Sequence, residues 1–117
     1  MDFSEKSHSE ILTIADPIMD NIIHGSNKND YEQLSKDFSI EMFKCVPKEE
    51  FERQMAEGYE ETGDIKKERG FLSCIYRDSG VTVLWKGYFE RKKGEVLAQL
   101  TLDEEDGEIK VFGASIG

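Results

Sequence analysis

The sequence predicts an α+β fold, with N-terminal helices packed on a curved four-strand antiparallel meander. Three observations predict it. First, residues 68–116 alternate runs rich in β-branched and aromatic residues with turn clusters at Asp78-Ser79-Gly80, Lys92-Lys93-Gly94 and Asp106-Gly107, which is the pattern of consecutive hairpins. Second, the first half of the chain instead repeats apolar residues at helical spacing. Third, helices come first and strands after, the order of an α+β layer pair with its helices on one side of the sheet. A chain of 117 residues is expected to form one domain, 1–117, around one core.

The elements follow in order. Ser7-His8-Ser9-Glu10 has the form of a capping box, Ser with Glu three places on, and starts a helix. Ile11, Leu12, Ala15, Ile18, Met19, Ile22 and Ile23 form its apolar stripe. Pro17 interrupts, leaving either a kinked helix over about 9–24 or a new helix capped by Asp16. The stripe keeps its phase through Pro17, which favours the single kinked helix, and Gly25 is the expected stop. Asp30 caps a short second helix, with Leu34 facing inward. Phe38, Ile40, Met42 and Phe43 extend that apolar patch, with Ser39 as a candidate cap. Pro47 opens the third helical region, with Glu49 and Glu50 in the first turn where the helix dipole favours them. Phe51, Met55 and Tyr59 mark its buried face, and it ends near Thr62-Gly63.

Beyond Gly63 the period changes to two. A first strand is predicted over 65–77, with a bulge or bend at Gly70. The second, 81–90, places Val83, Trp85, Gly87 and Phe89 on one face and Leu84, Lys86, Tyr88 and Glu90 on the other. In the third, Val96, Ala98, Leu100 and Leu102 oppose Leu97, Gln99 and Thr101. The fourth covers 108–116.

Charged residues make up 34% of the chain, interleaved with apolar ones, and the net charge is −10. That describes a folded domain with a highly charged surface. The acidic balance argues against nucleic acid, which is held by Lys and Arg clusters; Arg91-Lys92-Lys93 and Lys66-Lys67 are too short to reverse it. Cys45 and Cys74 lack metal or redox spacing and read as two buried small hydrophobes. The residues from Met1 onward show no secretory signal, and no apolar run reaches membrane-spanning length, so the expectation is a cytoplasmic protein without a membrane anchor.

Candidate chemistry is sparse. His8 and His24 stand at opposite ends of the first helical region, far from the convergent set a metal needs. Asp103-Glu104-Glu105-Asp106-Gly107-Glu108 fails the calcium-loop pattern, because aligning Gly107 to its glycine puts Leu102 at the first ligand and Gly113 at the last. The chain carries no nucleophile elbow, phosphate loop or Ser/His/Asp set. Neither a metal nor an organic cofactor is expected.

The segments Ala15-Asp16-Pro17-Ile18-Met19-Asp20-Asn21-Ile22, Asn29-Asp30-Tyr31-Glu32-Gln33-Leu34 and Lys36-Asp37-Phe38 resemble the N-terminal half of the cone-shaped, cystatin-like domains grouped with nuclear transport factor two. Leu100-Thr101-Leu102-Asp103, Asp106-Gly107 and the final strand with Gly113 resemble their closing pieces. The likeness is to small families of unknown function in that superfamily and spans nearly the whole chain. It implies a long first helix laid across a curved sheet. The predicted strands are fewer than the six of larger members, which implies a shallower cone. Isomerases, cyclases, dehydratases, binding domains and accessory subunits share that fold, so the resemblance assigns no chemistry. Enzymes of the group place an acid or base inside the cone. Here the predicted inward positions Val83, Trp85, Phe89, Val96 and Leu100 are apolar; Tyr59 and Tyr76 are the candidate donors.

The sequence therefore favours a non-catalytic domain that binds a small apolar ligand or a peptide in its cone. Trp85 is expected on the pocket wall and Tyr59 near its mouth, since both pair a broad apolar face with one hydrogen-bonding group. The alternatives are an accessory or interaction protein working through the outer sheet face and an isomerase- or dehydratase-like enzyme. Leu84, Tyr88 and Leu97 beside Thr82, Lys86, Gln99 and Thr101 make that outer face the expected homodimer surface.

Overall fold

The computed structural model describes residues 2–117. A 3-10 turn at Phe3–Glu5 precedes four helices, α1 His8–Asn27, α2 Tyr31–Leu34, α3 Ile40–Cys45 and α4 Lys48–Thr62. Four strands follow, β1 Gly70–Tyr76, β2 Val81–Gly87, β3 Val96–Glu105 and β4 Glu108–Ile116, joined as an antiparallel meander in sequence order. The helices pack on the curved sheet, as the patterning predicts. Among the described residues no helix is long and apolar enough to cross a membrane.

Local signals set the helix starts. The Ser7 hydroxyl accepts from the Glu10 amide and the Glu10 carboxylate accepts from the Ser7 amide, closing the box at 3.2 and 3.0 Å. Asp30 and Ser39 cap α2 and α3 through the Gln33 and Met42 amides. The region predicted as one patch after Asp30 is thus two short helices, separated where Ser39 donates its amide to Val111. α1 is a single helix that runs through Pro17, whose ring is exposed.

Gly25 does not stop α1. The helix continues to Asn27, and the chain reverses at Asn29, which takes φ 53°. Gly25 serves close approach instead: a Cβ there would lie 2.6 Å from the Leu34 amide nitrogen, so only glycine lets α2 rest on α1. Asn21 supports the same crossing by donating to the Gln33 carbonyl at 2.7 Å.

Register divides the sheet into two faces. On the inner face, Cys74, Val83, Leu100 and Ala114 lie side by side across the four strands, and Trp85 sits between Phe71 and Ala98. Val81, Val83, Trp85, Leu100 and Leu102 join Ile11, Ala15, Met19, Ile22 and Ile23 of α1 in one core. Each Val, Leu, Ile or Met side chain among them contributes about 1.5–3 kcal/mol by leaving water. Phe3 also enters this core at 1% exposure. On the outer face the Thr82 and Thr101 hydroxyls meet at 2.8 Å. The strand bounds are tighter than the alternation predicts: β1 starts at Gly70 and β2 ends at Gly87. The bulge in β1 falls between Phe71 and Ser73, not at Gly70, and a second interrupts β4 opposite Thr101 and Leu102.

Cys45 corrects the expectation of two buried thiols. It lies exposed at the end of α3, whereas Cys74 is buried. Helical phase decides this: Met42 takes the inward position of so short a helix and Cys45 ends it.

Candidate functional site

α4 buries only Phe51 fully, with Met55 and Tyr59 half-buried beside it. Both of its ends are held by hydrogen bonds and ring contacts. At the N-terminal end the Tyr31 hydroxyl donates to the Val46 carbonyl at 2.6 Å, and the Tyr31 and Phe51 rings lie 5.8 Å apart. At the C-terminal end Gly63 takes φ 69°, and the Tyr59 hydroxyl donates to Asp64 at 2.5 Å. Arg91 stands 5.9 Å from the Tyr59 ring and donates to the Glu60 carbonyl. Asn27 then grips the outgoing chain: its amide donates to the Ile65 carbonyl and accepts from the Ile65 amide, each at 2.8 Å.

Beneath the middle of α4 lies a half-enclosed cavity of about 430 Å³. Met19 and Ile22 of α1 line it, with Phe51, Met55 and Tyr59 of α4, Phe89, and Ala114 and Ile116 of β4. The described residues lining it include no Asp, Glu, Lys, Arg or His. Its polar groups are already engaged: Ser26 with the Met55 sulfur at 3.9 Å, Thr62 with the Gly58 carbonyl, Gln54 with Glu50, Asn27 with Ile65 and Tyr59 with Asp64. An open groove on the far side of α4, bordered by the α1–α2 turn, shares Asn27, Phe51, Met55 and Tyr59 with the cavity.

Tyr59 thus lines both the cavity and the groove. Trp85 lies elsewhere. It is 1% exposed, is not among the described lining residues, and is covered by the Arg69 guanidinium 5.1 Å from its ring centre. Arg69 in turn pairs with Asp16 at 2.9 Å and Asp20 at 2.8 Å on α1. Nothing in the spacing of Asp16, Asp20 and Arg69 along the sequence announces this clamp, or that α1 crosses the start of β1. Ala114 and Ile116 are legible as strand residues, whereas Phe89 lies beyond the end of β2 in an isolated bridge with Ile65; none of the three is legible as lining of a void.

Two tyrosine hydroxyls are shifted. The hydrogen bond to Asp64, then burial, raises the Tyr59 pKa above its ordinary value. Burial, then the Glu49 charge, raises that of Tyr31. Both hydroxyls therefore keep their protons near neutrality. His8 lies against Phe71 and Tyr76, with ring centres 5.3 and 6.3 Å away, and His24 is exposed. Among the described residues no three His, Cys, Asp or Glu side chains converge as metal ligands would. The chain matches no protein-family model and no curated protein.

Proposed function

We propose that this protein is a non-catalytic binding domain whose cavity, closed on one side by α4, takes a small neutral apolar ligand or the apolar side chains of a peptide. The cavity under α4 carries the reading. Its volume falls within the range of about 300–1,000 Å³ common for ligand pockets, and apolar lining with few polar groups is their usual character. Neutrality follows from the lining, since a charged ligand would lose hydration with no opposite charge to replace it.

The test is a titration with N-phenyl-1-naphthylamine, an uncharged dye whose emission rises in apolar surroundings. Saturable enhancement is expected. Ala114→Leu, which adds bulk from the inner face of β4, should weaken it at least tenfold with little change in melting temperature. Absence of saturable binding by the unaltered protein would overturn the reading.

The outer sheet face supports a second activity, self-association. Ile75 and Leu97 there are 43% and 39% exposed, with Leu84 half-buried between their strands and Tyr88 beyond it. Exposed apolar side chains on an otherwise charged protein favour a homodimer through Leu84, Tyr88 and Leu97. Light scattering at micromolar concentration should return a dimer mass, and Leu97→Lys a monomer mass.

A further inference from the structure

The free edge of β4 opens beside the cavity, and its backbone is only partly used. The Gly117 amide donates to the Leu97 carbonyl at 3.0 Å, which makes Leu97 and Gly117 a hydrogen-bonded pair of the antiparallel ladder. Counting along the register, Gln99–Ser115 and Thr101–Gly113 are the next such pairs. Ala114 and Ile116 therefore point their amides and carbonyls away from β3, toward the free edge. Val111 faces the same way past the bulge, and there the chain supplies its own partner. The Val111 amide donates to the Asp37 carbonyl at 2.7 Å and its carbonyl accepts from the Ser39 amide at 2.9 Å, so Phe38 pairs with it in parallel. At Ser39 the chain turns away into α3. Had it continued extended, it would have run on past Ala114 and Ile116. Their edge groups have no partner among the described residues.

We infer that an extended peptide segment takes this place as a fifth strand on β4. The inference rests on the binding reading of the cavity and names the class of ligand. A strand paired at Ala114 and Ile116 would use both residues' free donors and acceptors, the mode of strand addition to a sheet edge. Residues opposite each other across a ladder project to the same face. Ala114 and Ile116 are inner-face residues, opposite Leu100 and Ala98, and both line the cavity. Two peptide side chains at positions i and i+2 would therefore enter the apolar cavity, and the residues between them would face outward. The neutral lining requires those two side chains to be apolar. The recognised sequence is an alternating one, apolar–any–apolar, in a chain free to lie extended.

The experiment uses the full chain and a pool of blocked pentapeptides, Thr-Φ-Thr-Φ-Thr, with Φ drawn from Val, Ile, Leu and Phe. Amide hydrogen exchange of Ala114 and Ile116 is followed by NMR, with N-phenyl-1-naphthylamine as a competing probe. The expected result is at least tenfold slower exchange at both amides with the best peptides, together with displacement of the dye. N-methylation is the control. Methylating one alternating set of peptide nitrogens should abolish the protection and methylating the other set should not, because only alternate amides face β4. Dye binding with no protection of these amides by any peptide overturns the peptide inference and leaves the cavity reading standing. Loss of dye binding as well overturns both. Equal sensitivity to the two methylated sets overturns strand pairing. Protection that rises with protein concentration alone, with a doubled mass, makes the occupant a second copy of this chain and overturns the peptide.

Discussion

Arg69 lies over Trp85 with its guanidinium carbon 5.1 Å from the ring centre, and its two terminal nitrogens reach Asp16 and Asp20 one helical turn apart on α1. The side chain is 8% exposed although its partners are 46% and 62% exposed. One residue before β1 thereby ties the first helix to the centre of the sheet. It also donates to the Lys67 and Asp16 carbonyls, at 3.0 and 3.2 Å. Its Nε is buried without a partner among the described residues, so the arrangement is not fully satisfied.

Arg69→Ala should destabilise the protein by about 1–3 kcal/mol. Loss of the contact with Trp85 accounts for about 0.5–2 kcal/mol of this, and the exposed ends of the ion pairs add little. Arg69→Met, which keeps the apolar stem over the ring, should recover part of the loss. Urea unfolding followed by Trp85 emission measures both, since Trp85 is the single tryptophan. Midpoints equal to that of the unaltered protein would show that the clamp contributes nothing.

Two helical glycines should respond in opposite senses to the same substitution. A Cβ at Gly58 meets no atom within 4 Å, so Gly58→Ala should stabilise α4 by about 0.5–1 kcal/mol through backbone entropy. At Gly25 the new carbon would lie 2.6 and 2.8 Å from the backbone N and Cα of Leu34. Gly25→Ala should therefore lower the melting temperature despite the same gain in helix propensity. Equal shifts for the two variants would contradict the close crossing of α1 and α2.

Alkaline pH should destabilise the fold through Tyr59 and Tyr31. Both hydroxyls have raised pKa values, Tyr59 through its hydrogen bond to Asp64 and Tyr31 through burial. The folded state then binds more protons than the unfolded chain once pH reaches the ordinary tyrosine value of about 10. Their stabilising contribution is present below that value and is lost as pH rises through the folded pKa values. The urea midpoint should fall above about pH 10, and less steeply in the Tyr31→Phe, Tyr59→Phe double variant. Identical slopes would remove the tyrosines as the cause.

The two thiols should react in two separate phases. Cys45 is exposed, whereas Cys74 is buried and its pKa is raised by that burial. A disulfide reagent should label one cysteine per chain promptly in native buffer and the second only as urea unfolds the protein. Cys45→Ser should remove the fast phase alone. Two fast equivalents would show that β1 opens readily.

What the sequence determined by itself was local. The capping box at Ser7, the caps at Asp30 and Ser39, and the extent of β4 are each written in residues a few places apart, and short-range hydrogen bonding and side-chain periodicity decide them. The inner and outer faces of β2 and β3 were legible for the same reason, because strand alternation has a period of two. Tertiary structure alone decided the rest. A glycine after an apolar stripe commonly ends a helix, so the sequence makes Gly25 a stop; only the approach of Leu34 makes it a contact residue. Free cysteines are usually buried, which is all the sequence offers for Cys45; the length and phase of α3 expose it. Aromatic residues suit pockets, which points to Trp85 as a cavity wall, yet Arg69 closes over it, and the void lies instead where α4 spans from Phe51 to Tyr59. A cavity is the space that several distant elements fail to fill, and no periodicity along one chain encodes it.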